Sequence, residues 1–170
     1  MRTVAVATAL ALGCVGQPRV AASPPLPTES EDGQQAARSP LEGTWKANLE
    51  KSRRDPNHLF DSLTLKFAVS GDTVTLVYSG INMSGEEESA TTTLQADGRE
   101  RPVSEQAPGV MLVTRWVSAN MLETVTTKDG ESVGRGTYEV SADGKTLTAT
   151  VSGTDAGGRR FENVVVADRE

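Results

Sequence analysis

From Gly43 onward, apolar side chains recur at every second position, the period of a pleated strand and not of a helix. Leu63, Leu65, Phe67 and Val69 alternate with Thr64, Lys66 and Ala68, and Val74, Leu76 and Tyr78 alternate with Thr75 and Val77. Further on, Leu112, Thr114 and Trp116 share one face, and Leu147, Ala149 and Val151 share another against Thr146, Thr148 and Thr150. In the last run Phe161, Asn163 and Val165 oppose Glu162, Val164 and Val166, the pattern of a strand covered on both sides. Threonine, valine and aromatic residues in these places suit a half-buried pleated surface.

Turn signals separate the runs: Ser70-Gly71-Asp72, Asp97-Gly98, Asp129-Gly130, Asp143-Gly144-Lys145 and the Asp155 to Gly158 tetrapeptide. Asp-Gly supplies the positive φ that tight hairpins need, so each is expected to reverse the chain between neighbouring strands. The spacing predicts an all-β, antiparallel, up-and-down meander of about eight to ten short strands. No window carries a convincing amphipathic helix; the best candidate is one turn within 49–60, limited by Pro56. A meander this long leaves two bare edges unless it closes, so a closed or nearly closed barrel is the expected architecture, with a two-sheet sandwich as the alternative.

Composition narrows this further. The chain is 36% hydrophobic and only 4% aromatic, so its core must rest on Val, Leu, Ala and the methyl groups of Thr. That supply favours a sheet with one covered face over a multilayered α/β core.

The first forty residues have a different character. Arg2 precedes an apolar run from Val4 to Leu12, too short to span a bilayer and shaped like a secretory leader. Two cleavage readings are open within 1–22. Ala11-Leu12-Gly13-Cys14 resembles a bacterial lipobox, in which the Cys14 thiol would carry lipid; Val20 to Ser23 offers an ordinary signal-peptidase site near Ala22. Cys14 is the single cysteine, without a disulfide partner in the chain, which favours acylation. Residues 23–40, rich in Pro, Ser and acidic or amide side chains, have almost nothing to bury and are expected to form a mobile linker. The barrel domain is then 41–170. The expected location is exported: the outer membrane or periplasm as a lipoprotein, or secreted.

A net charge of −6, with Arg53-Arg54 and Arg159-Arg160 as isolated pairs, provides no basic face for nucleic acid. His58 is the sole histidine, with no cysteine in the domain to join it, so neither a His-based metal cluster nor a Cys-His nucleophile can be assembled. No Gly-x-Ser-x-Gly elbow and no phosphate-binding Gly-rich loop is present. Glu86, Glu87 and Glu88 are adjacent, and adjacent strand residues point apart, so they read as a solvated hairpin tip. No catalytic residue, metal or cofactor is expected, and the protein is read as a non-enzyme and a monomer.

Gly43-Thr44-Trp45 at the start of the first strand resembles the Gly-x-Trp signature of the calycins, the lipocalin and fatty-acid-binding-protein group. The stretch from Gly43 to Arg53 and the late run from Asp143 to Val166 are similar to a set of exported, uncharacterised bacterial lipocalin-like proteins. The resemblance implies that Trp45 packs at the closed end of a barrel with a basic residue laid across it, for which Arg160 and Arg169 both remain candidates. Two departures accompany it. The segment 50–61 is too short for the two helices that fatty-acid-binding proteins place between their first two strands, and their carboxylate-binding Arg-x-Tyr pair has no counterpart near the C-terminus.

The function expected is binding of a small hydrophobic or amphipathic ligand inside the barrel, lined by Phe67, Tyr78, Trp116 and Tyr138. The alternative is a cell-envelope structural or protein-interaction lipoprotein with a filled core.

Overall fold

The computed structural model describes residues 39–56, 60–155 and 157–170. The leader, Cys14, nearly all of the linker and His58 lie outside them.

Ten antiparallel strands form one sheet: β1 (Gly43–Ala47), β2 (Phe60–Ser70), β3 (Thr73–Asn82), β4 (Glu87–Gln95), β5 (Asp97–Pro102), β6 (Val110–Ser118), β7 (Met121–Lys128), β8 (Glu131–Val140), β9 (Thr146–Thr154) and β10 (Arg160–Arg169). Sequence neighbours pair throughout, except that β4 and β5 share no ladder; the first strand pairs with the last. The meander therefore curls round and is sealed at β1–β10, where Trp45 sits opposite Arg169 and Ala47 opposite Ala167. What results is a nearly closed barrel with a single interruption, between β4 and β5.

That interruption corrects one expectation. Asp97-Gly98 does not make a hairpin; it opens β5, and the register against β6 slips between Asp97 and Glu100. The Asp97 carboxylate accepts the Arg99 amide at 3.1 Å and both ends of the Arg101 guanidinium at 2.7 Å. This local bonding kinks the start of β5, as a bulge does; the chain still reverses between β4 and β5, but no ladder joins the two strands. The reversals at 70–73, 129–130, 141–146 and 155–160 fall on the other turn signals.

Alternation places the expected apolar faces inside. Leu63, Leu65 and Phe67 of β2, Val74 and Leu76 of β3, Leu147 and Ala149 of β9, and Val165 and Ala167 of β10 are all buried. β10 stays paired beyond the end of β1, because the chain after β1 runs on along the same edge. Asn48 donates its amide to the Val166 carbonyl at 2.7 Å, and Arg53 and Val164 exchange both backbone hydrogen bonds at 2.7–2.8 Å.

The barrel has two unlike poles. One holds the turns 70–73 and 141–146 and both ends of the described domain; the other holds the hairpin 82–87, the turn 129–130 and the loop 155–160. Large side chains, including Leu41, Trp45, Phe67, Leu122, Val140 and Leu147, fill the first pole to full burial. Each contributes about 1.5–3 kcal/mol of transfer free energy.

Candidate functional site

The filled pole is closed by Trp45. Its indole N–H donates to the Leu41 carbonyl at 3.0 Å, so the one polar atom of a wholly buried ring is satisfied. Arg169 lies across the ring, its guanidinium carbon 4.1 Å from the centroid. Its Nε donates to Gly144, and its two terminal nitrogens to Glu42 and Pro40, at 2.5–2.8 Å. Gly43 makes this possible: it has φ +136°, and a Cβ there would stand 2.7 Å from an Arg169 nitrogen. Arg160, the other basic candidate, is exposed at the start of β10.

Beyond this plug the interior is hollow. A cavity of about 760 Å³ occupies the opposite half of the barrel and reaches an exposed rim at Glu87, Glu88 and Ser89. The volume lies within the 300–1,000 Å³ usual for ligand pockets. Its origin can be read along the strands. Inward positions that hold Trp, Phe or Leu near the plug are taken towards the rim by Ala90 on β4, Thr124 and Thr126 on β7, Gly134 and Gly136 on β8, and Ala149 on β9. Small side chains on converging walls leave space that the remaining apolar residues, among them Leu63, Leu65, Leu76, Val151 and Phe161, cannot fill.

The polar side chains at inward positions along this space are Tyr78, Thr124, Thr126, Tyr138 and Asn163. Tyr138 is 6% exposed, lines the cavity and packs its ring edge-on against Phe67 at 5.4 Å. Desolvation pushes its phenol up to about 12, so it stays a neutral donor. Tyr78 stands nearer the rim, where its hydroxyl donates to Glu88 at 3.4 Å; burial first, then the neighbouring carboxylate, raises its pKa. Asn82 donates to the other oxygen of Glu88 at 2.8 Å. The side-by-side glutamates are thus at an exposed hairpin, as their sequence suggests, and two of them also border the opening.

Arg135 contributes to the wall between Gly134 and Gly136, but alternation sends its side chain outward. There it meets Glu123, which also accepts a hydrogen bond at 2.6 Å from the Nε of Arg115, its register partner, and pairs with a terminal nitrogen of the same guanidinium at 2.6 Å. The two guanidiniums screen Glu123 to 1% exposure. Desolvation works to raise the carboxyl pKa, and the hydrogen bonds and charges of Arg115 and Arg135 outweigh it, leaving it below the ordinary glutamate range. The cluster braces the outer wall at β6, β7 and β8.

Of the four aromatic residues expected to line a ligand site, Tyr78 and Tyr138 border the cavity. Phe67 lies below, in the packed plug behind Tyr138, and Trp116 is half-buried against the core outside the cavity. The small residues that create the space went unnoticed in the sequence. Their signal is parity: 124 and 126, 134 and 136, and 149 all fall on inward positions.

No protein-family profile and no curated protein matches the sequence. Solved structures do match by shape. One titled as the REP1-NXSQ fatty acid transporter aligns with a TM-score of 0.54 at 10% identity, covering 78% of this chain and 98% of its own. The zebrafish ileal bile acid-binding protein complexed with cholic acid gives 0.52 at 14% identity, covering 78% and 100%. A Schistosoma mansoni fatty acid binding protein in complex with arachidonic acid gives 0.51 at 16% identity, covering 78% and 97%. At such identities the likeness concerns architecture, and residues 43–169 have the fold of the calycin-type, fatty-acid-binding-protein-like barrels.

Proposed function

We propose that this protein is an exported, non-catalytic carrier that binds one small hydrophobic or amphipathic molecule inside its barrel. The observation that carries the reading is the 760 Å³ cavity, lined mainly by apolar side chains and sealed at one pole. It favours ligand binding over an interaction protein with a filled core. The structural neighbours titled as carrying fatty or bile acids support the same reading. Attachment to a membrane through lipidated Cys14 belongs to the proposal, with release in soluble form as its alternative; the leader-like run before Cys14 supports export.

The test is native mass spectrometry of the full chain purified from its host, together with thermal unfolding against a lipid panel. A retained apolar adduct, or a stabilising shift with one class of lipid, is the expected result. Bare protein in repeated preparations and no shift across the panel would overturn the proposal.

A further inference from the structure

An apolar cavity with a neutral donor in its wall and no cation beside it is selective about charge. Tyr138 is more than nine-tenths buried, lines the cavity, and its hydroxyl has no hydrogen-bond partner among the described residues. The hydroxyl is not among the sealed-off unpaired polar atoms, so it is left facing the cavity space, where an occupant can accept from it.

No cationic side chain among the described residues points into the same space. The Arg135 guanidinium is held by Glu123 on the outer wall. Arg169 belongs to the plug across Trp45. Arg54 stacks on the Phe60 ring at 5.1 Å and donates to the Phe60 carbonyl at 2.6 Å. The rim itself is acidic, with Glu87 and Glu88 bordering the opening and Glu88 already receiving Tyr78 and Asn82.

We infer that the cavity selects amphiphiles whose polar end is uncharged and carries an acceptor oxygen, such as a long-chain alcohol or ester, and discriminates against carboxylates. The inference rests on the binding function proposed above and specifies its ligand class. A carboxylate brought inside would lose its hydration with no countercharge among the described residues to replace it, and would have to pass two glutamates. A hydroxyl or ester oxygen needs one donor, which Tyr138 supplies from the innermost part of the lining. Its raised pKa keeps the proton on the phenol throughout the physiological range.

The experiment uses the delipidated full chain and diphenylhexatriene, a hydrocarbon fluorophore with no polar atoms. Oleyl alcohol, methyl oleate and oleic acid compete for it at pH 7.5. The alcohol and the ester are expected to displace the fluorophore at least about tenfold more tightly than the acid. Tyr138→Phe should lower the affinity for the alcohol about three- to tenfold relative to that for diphenylhexatriene, each titrated on the same variant. Should that variant not fold, the alcohol-to-acid ratio of the unmodified chain decides alone. Oleic acid competing as well as the alcohol, or an alcohol affinity indifferent to loss of the phenol oxygen, overturns this inference while leaving hydrophobic binding intact. Failure to take up diphenylhexatriene at all overturns the binding function, and the inference with it.

Discussion

Arg169 lies 4.1 Å from the Trp45 ring centre and donates at the same time to three backbone carbonyls, those of Pro40, Glu42 and Gly144. One guanidinium thereby ties the entry of the domain, the β8–β9 turn and the last strand to a single buried indole. Cation–π attraction of this kind is worth about 0.5–2 kcal/mol. The larger part of the plug is the burial of the ring itself.

Truncating the plug should therefore be costly. Trp45→Ala is expected to destabilise the domain by about 3–5 kcal/mol, read by urea unfolding. Arg169→Lys keeps the charge but not the planar fork that reaches three carbonyls, so it should also lower stability, by less. A Trp45→Ala loss below about 1 kcal/mol would mean that the ring is not the closing element.

The hollow half should tolerate filling. Gly134 has no positive φ, and a Cβ there meets nothing closer than 3.6 Å. Gly134→Phe should give a folded protein that has lost diphenylhexatriene uptake. Gly80→Ala makes the contrast, because its Cβ would fall 2.3 Å from the Ser62 carbonyl oxygen and force two strands apart. It should destabilise the fold, by circular dichroism melting, even though the group added is far smaller.

Acid should weaken the outer wall. The Glu123 carboxyl titrates below its unfolded value, so its stabilising contribution is complete above about pH 4.5 and drains away as pH falls through the lower folded value. Glu123→Gln should flatten the acid limb of a stability–pH curve. Its cost at neutral pH should be roughly 1–2 kcal/mol, kept small because both guanidiniums reach solvent. An unaltered acid limb would remove Glu123 from the wall's electrostatics.

At the alkaline end the sign is reversed. The Tyr138 phenol ionises near pH 10 in the unfolded chain and at about 12 when folded. Stability is lost as pH climbs between those values, since the unfolded chain releases its proton first. Tyr138→Phe should resist unfolding in that window better than the unmodified chain. Identical alkaline denaturation of the two would show that the phenol is not desolvated.

If Cys14 is acylated, Cys14→Ser should move the protein from membrane to soluble fractions of its host. Unchanged fractionation would favour cleavage near Ala22 and release.

The β-meander was legible because water enforces it: one buried face gives a period of two, and Leu63 to Val69 or Leu147 to Val151 leave no other face to bury. Closure was legible from the edges it removes. The site was harder. Large aromatic residues draw attention in a sequence, yet Phe67 and Trp116 pack away from the cavity, because bulk fills space and cannot enclose it. What encloses it is the inward run Gly134, Gly136 and Ala149, whose significance depends on which strands converge above the plug. Asp97-Gly98 marks a reversal, as its sequence signals, but a dipeptide cannot say whether the strands it joins will pair, and β4 and β5 do not. Between Arg160 and Arg169 the choice needed the register that sets Arg169 opposite Trp45.

The domain begins at the plugged pole, where Leu41 lies beneath the indole and Pro40 is held by Arg169. Anything joined ahead of residue 39 is therefore fastened to the blind end of the vessel. The opening bordered by Glu87 and Glu88 lies at the far pole, so a tether joins the vessel on the side away from its mouth.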